Sequence, residues 1–264
     1  MNRTSLEFLH SMFPDQQLDE LNILIINQTR REPLETNEEN IKVINTDEFG
    51  LSKSRNLALD QCQTRYALLA DDDVIYTSDF IKRIENAYQK FPDAALIGFK
   101  LQRPDGSDHK QYPLSDKALK VTGNNYMLSS AEISLNREKI GKYQLEFCTF
   151  FGLGSSMFNS CEETLFLRSL LKRREKAFFV DESIGTHKDA STGHDPLDKD
   201  FIQALTACQF FTFGFGSFFW LIYYLMKVRS AHRPDSKQLI TAFKRGANGI
   251  YKANRLKKEI VDQL

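Results

Sequence analysis

The strongest constraint on this chain is an alternation in its first hundred residues: short, nearly unbroken apolar runs trade places with longer amphipathic stretches. Asn22–Asn27 (NILIIN) has the pattern of a strand buried on both faces, and Ile41–Asn45 (IKVIN) predicts a second strand. Gly50–Asp60 (GLSKSRNLALD) reads as a helix with Leu51, Leu57 and Ala58 inward. Tyr66–Ala70 (YALLA) is a third buried strand that ends abruptly in Asp71-Asp72-Asp73. Ile81, Ile84, Tyr88 and Phe91 then recur at three- and four-residue steps, predicting a helix capped by Thr77 or Ser78. Ala94–Phe99 (AALIGF) is a further strand. A short helix over Ser5–Met12, ended by Pro14-Asp15, precedes them all. Strand and helix in alternation predict an α/β fold with a mainly parallel sheet flanked by helices.

Composition narrows the class. With 264 residues, 41% hydrophobic and 27% charged, the chain is neither disordered, collagen-like nor a disulfide miniprotein. It is long enough for one large domain, or one domain with an appendage. Thirty-five basic against 35 acidic residues argue against a protein that grips nucleic acid with its whole surface. The charge is uneven, however: ten Lys/Arg and only three Asp/Glu lie from Lys227 onward, so an acidic body carries a basic tail. Cysteines 62, 148, 161 and 208 have neither zinc spacing nor a disulfide framework. The first residues lack the basic start and apolar core of a secretory signal, so the sequons at Asn2 and Asn27 carry no information. A reducing cytoplasm is the expected setting.

Regularity falls away after residue 100. Pro104-Asp105-Gly106-Ser107 is a turn and 101–160 reads as loop-rich. Glu162–Arg174 is an amphipathic helix, acidic at its start and basic at its end. Lys176–Val180 is a last strand, leading to His187. Phe201–Met226 contains no charge and is long enough to cross a bilayer. Ser236–Leu264 follows as a basic helical stretch with Ile240, Phe243, Ala247 and Ile250 along one side. No internal repeat is present.

In an open sheet, ligands bind beyond the carboxyl ends of the strands, where the Asp triplet stands. Carboxylates at alternating positions can share a hard cation, although an acidic turn that merely meets solvent has the same sequence. Glu162 and Glu163 are either dipole partners of their helix or candidate proton acceptors. His187 is a third metal ligand or a surface imidazole. Arg55 and Lys53 meet phosphate or only water.

Taken together and in this order, GLSKSRNLAL, a strand ending in DDD, FGLGSSMFNSCEETLFLRSL and VDESIGTH resemble the inverting family-2 glycosyltransferases of GT-A fold, over about residues 2–195. The resemblance implies a GT-A domain at 1–195, with a nucleotide-sugar half at 1–100 and an acceptor half at 101–195. A C-terminal hydrophobic helix and basic tail occupy 196–264. It implies metal ligation by Asp71, Asp73 and His187, with Mn²⁺ or Mg²⁺ as cofactor. Asn27, Arg55, Asp71 and Asp72 fall at donor-binding positions. Glu163 matches the general base and Glu162 its neighbour. The implied reaction moves a sugar from a nucleotide-sugar donor to a saccharide or lipid-linked saccharide acceptor, with inversion, in bacterial surface polysaccharide synthesis. The glycine-bearing loop 148–160 is expected to close over the acceptor.

Three departures stand out. Cys161 occupies the place of a Gly, Glu163 that of a commoner Asp, and the family's first strand, central in its sheet, is missing ahead of Asn22. Either the first methionine is internal, or the chain is a truncated, non-catalytic relative that serves as a membrane-associated assembly partner. A different metal-dependent phosphoryl or nucleotidyl transferase is a further alternative; a nucleic-acid module ranks last. For 201–264 the expectation is a peripheral seat on the inner face of the plasma membrane, basic tail on anionic headgroups. A buried packing or dimer helix is the competing reading, and homodimerisation is left open.

Overall fold

A computed structural model describes residues 3–120, 127–188 and 195–264. Met1 and Asn2, the 121–126 part of the loop-rich stretch, and 189–194, ahead of the expected boundary at 195, lie outside them. The elements in chain order are α1 (Glu7–Met12), β1 (Ile23–Gln28), β2 (Ile41–Thr46), α2 (Leu51–Gln61), β3 (Tyr66–Leu68), β4 (Val74–Tyr76), α3 (Phe80–Lys90) and β5 (Ala94–Gln102). There follow β6 (Lys117–Ala118), β7 (Ile133–Asn136), α4 (Arg137–Gly141), α5 (Glu162–Lys172) and β8 (Lys176–His187). Four helices end the chain: α6 (Lys199–Phe213), α7 (Ser217–His232), α8 (Ser236–Arg255) and α9 (Lys257–Val261).

The chain divides into two compact units. The first comprises residues up to Phe49, Lys53–Leu145 and Leu167–Ser191; the second comprises Gly50–Ser52, Glu146–Phe166 and Thr192–Leu264. The division thus groups 146–166 with the C-terminal helices rather than with the sheet.

The first unit holds all the strands among the described residues. β1 and β2 pair in parallel as a sheet of two. The larger sheet runs β3-β7-β5-β8-β4, with β6 on β8. Only β5–β8 is parallel in it; β3–β7, β5–β7, β4–β8 and β6–β8 are antiparallel. The expected mainly parallel sheet is therefore a mixed one. The βα alternation that enforces parallel crossovers stops at residue 100, and strands that return by loops are free to pair antiparallel. β5 is the centre: Ala94–Phe99 is continuously buried, as a strand covered on both faces should be. Val74, Tyr76, Phe80, Ile84 and Tyr88 join the same core.

Local details depart from the sequence reading in instructive ways. The inward residues of α2 are Ser52 and Arg55, whereas Leu51, Leu57 and Ala58 are only half-buried. α3 begins at Phe80 after Asp79, whose side chain makes no cap bond, so neither Thr77 nor Ser78 caps it. Its buried face is Phe80, Ile84, Ala87 and Tyr88, while Ile81 stays partly exposed.

The second unit is helical. The apolar run 201–226 is not one element: Gly214, at φ 55°, closes α6, and a short 3-10 turn over Gly214–Gly216 leads into α7. α6 is buried from Ile202 to Phe210 and packs on α8. The approach is close enough to require glycine: a Cβ on Gly249 would sit 2.3 Å from the Gln203 carbonyl oxygen. Thr206 adds a hydrogen bond to the Gly246 carbonyl at 2.8 Å. The packing face of α8 is therefore Ala242, Gly246, Gly249, Ile250 and Ala253, and the expected Ile240 and Phe243 point to solvent. Small residues win that face because they let two backbones approach.

Candidate active site

In the first unit, the Asp triplet follows β3 directly and leads into β4. Its three side chains have separate fates. Asp73 Oδ2 lies 3.3 Å from His187 Nε2, at the far end of β8, where the β4–β8 ladder pairs Val74 with His187. The main chain fixes that meeting: the Lys188 N–H donates to the Asp73 carbonyl at 2.8 Å. Asp73 Oδ1 is buried without a hydrogen-bond partner, an expensive condition for a carboxylate oxygen. Asp72 turns away to Arg3, whose Nε donates to Oδ2 at 2.9 Å. Asp71 is fixed through its main chain, its carbonyl accepting from the Val74 N–H. The charges of Asp71 and Asp73, after burial itself, push the fully buried Tyr76 phenol well above its usual range. The triplet is thus an ordered turn in which Asp72 and Asp73 take different partners.

His187 also stacks on His109, with ring centroids 4.7 Å apart. His109 was not singled out by the sequence; its Nδ1 is buried and unpartnered. Burial, followed by the neighbouring His187, Lys110 and Arg103 charges, lowers its pKa. Beside it in sequence is a second feature the sequence did not disclose. Glu132 is fully buried, takes Lys110 Nζ at 2.7 Å, and accepts from the Tyr112 hydroxyl at 2.6 Å. Burial raises its carboxyl pKa, with Lys110 pulling the other way. The one sequence pattern that could have drawn notice to it is the capping spacing Ser129-x-x-Glu132, which says nothing of its burial.

Asn27 and Arg55, the predicted donor contacts, are both buried and both engaged by protein. Asn27 Oδ1 accepts from the Arg3 N–H at 2.9 Å, and its Nδ2 donates to Arg3 O at 3.1 Å and Asn45 Oδ1 at 2.9 Å. Arg55 directs its guanidinium to the Ser130 hydroxyl. Lys53 is exposed beside Glu48.

The second unit carries Glu162 and Glu163 in the first turn of α5. Glu162 is buried and Glu163 is half-buried. Cys161, just before them, has φ 75°, in the left-handed region that favours glycine. This explains physically why Gly suits that place, and it makes Cys161 a strained exception. Its thiol is buried and held well above its normal pKa by a hydrogen bond with Cys208 and by burial. Gly152, at φ 101°, is pressed against the same turn: a Cβ there would lie 2.9 Å from Ser52 Oγ and 3.1 Å from Glu162 Cδ. Ser52 Oγ in turn donates to the Phe151 carbonyl at 2.6 Å. The expected closing loop is consequently well anchored: Cys148, Phe151 and Phe158 are core residues, while Leu153, Gly154, Ser156 and Asn159 are exposed.

Among the described residues no three His, Cys, Asp or Glu side chains converge as a ready-made metal centre. What the first unit offers is a pair, Asp73 and His187, with one carboxylate oxygen left over. An oxygen and an imidazole nitrogen fit part of the shell of a Mn²⁺-type ion, the remainder coming from water or phosphate.

The Glycosyl transferase family 2 model matches residues 9–173, and the chain belongs to that family. Among solved structures it is similar to Staphylococcus aureus TarS 1-349 (TM-score 0.50, 15% identity, 97% of this chain and 87% of that one). It is likewise similar to TarS 1-349 in complex with UDP-GlcNAc (TM-score 0.52, 14% identity, 96% and 86%). At such identities the likeness is one of fold. No curated protein sequence matches.

Proposed function

We propose that this glycosyltransferase moves a sugar from a nucleoside-diphosphate donor to an acceptor hydroxyl with inversion, in the synthesis of a bacterial surface polysaccharide. The observation that carries the reading is Asp73, held against His187 with its second carboxylate oxygen buried and unpartnered. Asp73 and His187, with Asp71 beside them in sequence, are the residues that would hold a divalent cation. Such a cation, when bound, offsets negative charge on a diphosphate leaving group.

The chain's own residues supply the rest. Glu163 accepts the proton of the acceptor hydroxyl as its oxygen bonds to the anomeric carbon. The bond from that carbon to the diphosphate oxygen breaks on the opposite face, and the electron pair leaves with the diphosphate. Glu162, clasped by the Gly152 turn, positions the first turn of α5 rather than moving a proton. Asn27 and Arg55 shape the donor side indirectly, by fixing Arg3 and Ser130.

The decisive experiment is transfer and hydrolysis of a donor panel beginning with UDP-GlcNAc, the ligand of one structural neighbour. Turnover should require Mn²⁺ or Mg²⁺ and fall on the order of 1,000-fold in Asp73→Ala. Turnover indifferent to chelator and to that substitution would sink the reading.

We also infer a seat on the inner face of the plasma membrane, where nucleotide sugars and lipid-linked acceptors meet. Lys199–His232 is long and apolar enough to span by composition. However, α6 is spent on packing, so the surface is left to α7. Phe219, Ile222, Tyr223 and Met226 form an exposed stripe at helical spacing, and Lys227 Nζ stands 5.1 Å from the Tyr223 ring centroid. Aromatic groups flanked by cations suit anionic headgroups. Phosphatidylglycerol vesicles should sediment the protein, phosphatidylcholine vesicles should not, and Phe219→Asp should abolish the difference.

A further inference from the structure

His109 and the buried Glu132 lie outside the Asp73–His187 pair, yet one short stretch of the first unit links them to it. Past β5 the chain turns at Arg103–Ser107, the Arg103 N–H donating to the Ser107 carbonyl at 2.7 Å and the Ser107 N–H to Asp105 Oδ1 at 2.9 Å. It returns alongside β5, where Gln102 bridges Asp108 and the His109 N–H donates to the Leu101 carbonyl at 3.0 Å.

The sheet sets what this hairpin meets. β8 lies between β5 and β4. Its last residue, His187, therefore has Asp73 on one side, just ahead of β4, and the hairpin on the other, since β5 pairs Gln102 with Thr186. Main-chain bonds fix the place of His187 but not the turn of its ring, because the outer torsion of a histidine side chain is broad. That torsion matters. An imidazole nitrogen offers its lone pair in the ring plane, so Nε2 can share a cation with Asp73 only while the ring is turned to it, as it is at 3.3 Å. His109 supplies the flat wall, its ring centroid 4.7 Å away and its plane 21° from parallel. The buried Nδ1 of His109 has no partner, so that nitrogen does not hold the wall in place. The residues that follow do. Glu132, just ahead of β7 on the other side of β5, takes Lys110 Nζ at 2.7 Å and accepts from the Tyr112 hydroxyl at 2.6 Å. Lys110 also reaches Ser129 Oγ at 2.8 Å, and the Tyr112 hydroxyl accepts from the Leu101 N–H at 3.1 Å. A buried carboxyl needs such partners, and here they stand one and three places beyond the stacking ring.

We propose that His109 is a positioning residue: clamped to Glu132 through Lys110 and Tyr112, it holds the His187 imidazole with Nε2 towards Asp73. The proposal rests on the reading of Asp73 and His187 as the residues that hold a cation.

Two readouts test it on the full chain: Mn²⁺ alone, titrated and followed by electron paramagnetic resonance, and the His187 imidazole signals in NMR spectra of the metal-free protein. His109→Ala should weaken Mn²⁺ binding on the order of 10-fold, the usual effect of removing a group that orients a metal ligand, and should move and broaden the His187 signals. His109→Phe keeps a flat ring without a nitrogen and should restore both. Tyr112→Phe removes one bond of the clamp while keeping the ring stacked on Phe179, and should move the His187 signals by less. A Phe variant that behaves like Ala would show that the His109 nitrogens matter rather than its face, and would overturn the proposal. So would His187 signals unmoved by His109→Ala or by Tyr112→Phe. A wild-type chain that binds no Mn²⁺ would sink the cation reading instead, and the NMR comparison would then decide the clamp by itself.

Discussion

Two apolar strands of this protein look interchangeable in the sequence and behave oppositely in the fold. AALIGF in β5 is buried at every residue, between β7 and β8. YALLA, of which Tyr66–Leu68 forms β3, pairs with β7 and lines a cavity of about 480 Å³, and all three residues are only half-buried. The difference teaches that a run of apolar residues specifies a capacity for burial; neighbours on both edges and both faces convert it into stability.

That contrast can be broken most directly in the core. Phe99→Ala in β5 should cost about 3–5 kcal/mol, because the residue is wholly enclosed and its loss leaves a cavity. Leu68→Ala in β3 should cost only about 1 kcal/mol, since its side chain already borders empty space. Urea unfolding of both variants measures the gap. Equal costs would mean that β3 is as well packed as β5.

A second contrast sets the open carboxylate, Asp73, against the strained turn before Glu162. Cys161→Gly should stabilise the protein by about 0.5–1 kcal/mol, because glycine adopts φ 75° without a Cβ clash, although lost packing against Cys208 sets an upper bound. A fall in Tm would show that the thiol's packing outweighs its backbone strain.

The smallest effect concerns Glu132. Its folded pKa is raised by burial, so the folded state holds its proton more tightly than the unfolded chain does. The corresponding stability is fully present below the unfolded carboxyl value of about 4.3 and is lost as pH rises through the folded pKa. The stability advantage of the wild type over Glu132→Gln should therefore be larger at pH 4 than at pH 7. A pH-independent difference would mean that Lys110 fully compensates the buried charge.

Much of the architecture was legible because local pattern and final environment agree. The helices over Glu7–Met12, Leu51–Gln61, Phe80–Lys90 and Glu162–Lys172 and the strands at 23–28, 41–46 and 94–102 stand where the periodicity put them. The ordered linkage of the strand ending in DDD, the CEETLFLRSL helix and His187 also pointed to the family that the match over residues 9–173 bears out. Less legible was where each polar side chain spends its bonds. Nothing in GLSKSRNLAL distinguishes Arg55, buried against Ser130, from Lys53, exposed beside Glu48. Glu132 and His109 were silent for the same reason, since their partners arrive from the far side of loops.

By itself, then, the sequence determined the α/β class, most of the elements in its first hundred residues and the family, because these rest on short-range periodicity and on motifs contiguous in the chain; it read 101–160, which holds β6, β7 and α4, as loop-rich. Tertiary structure alone decided that Asp72 turns to Arg3, that 201–226 breaks into a packed helix and an exposed one, and that β1 and β3 belong to different sheets with a cavity beside them. Each of those outcomes is settled by which groups far apart in sequence exclude water from one another, and no local pattern encodes that.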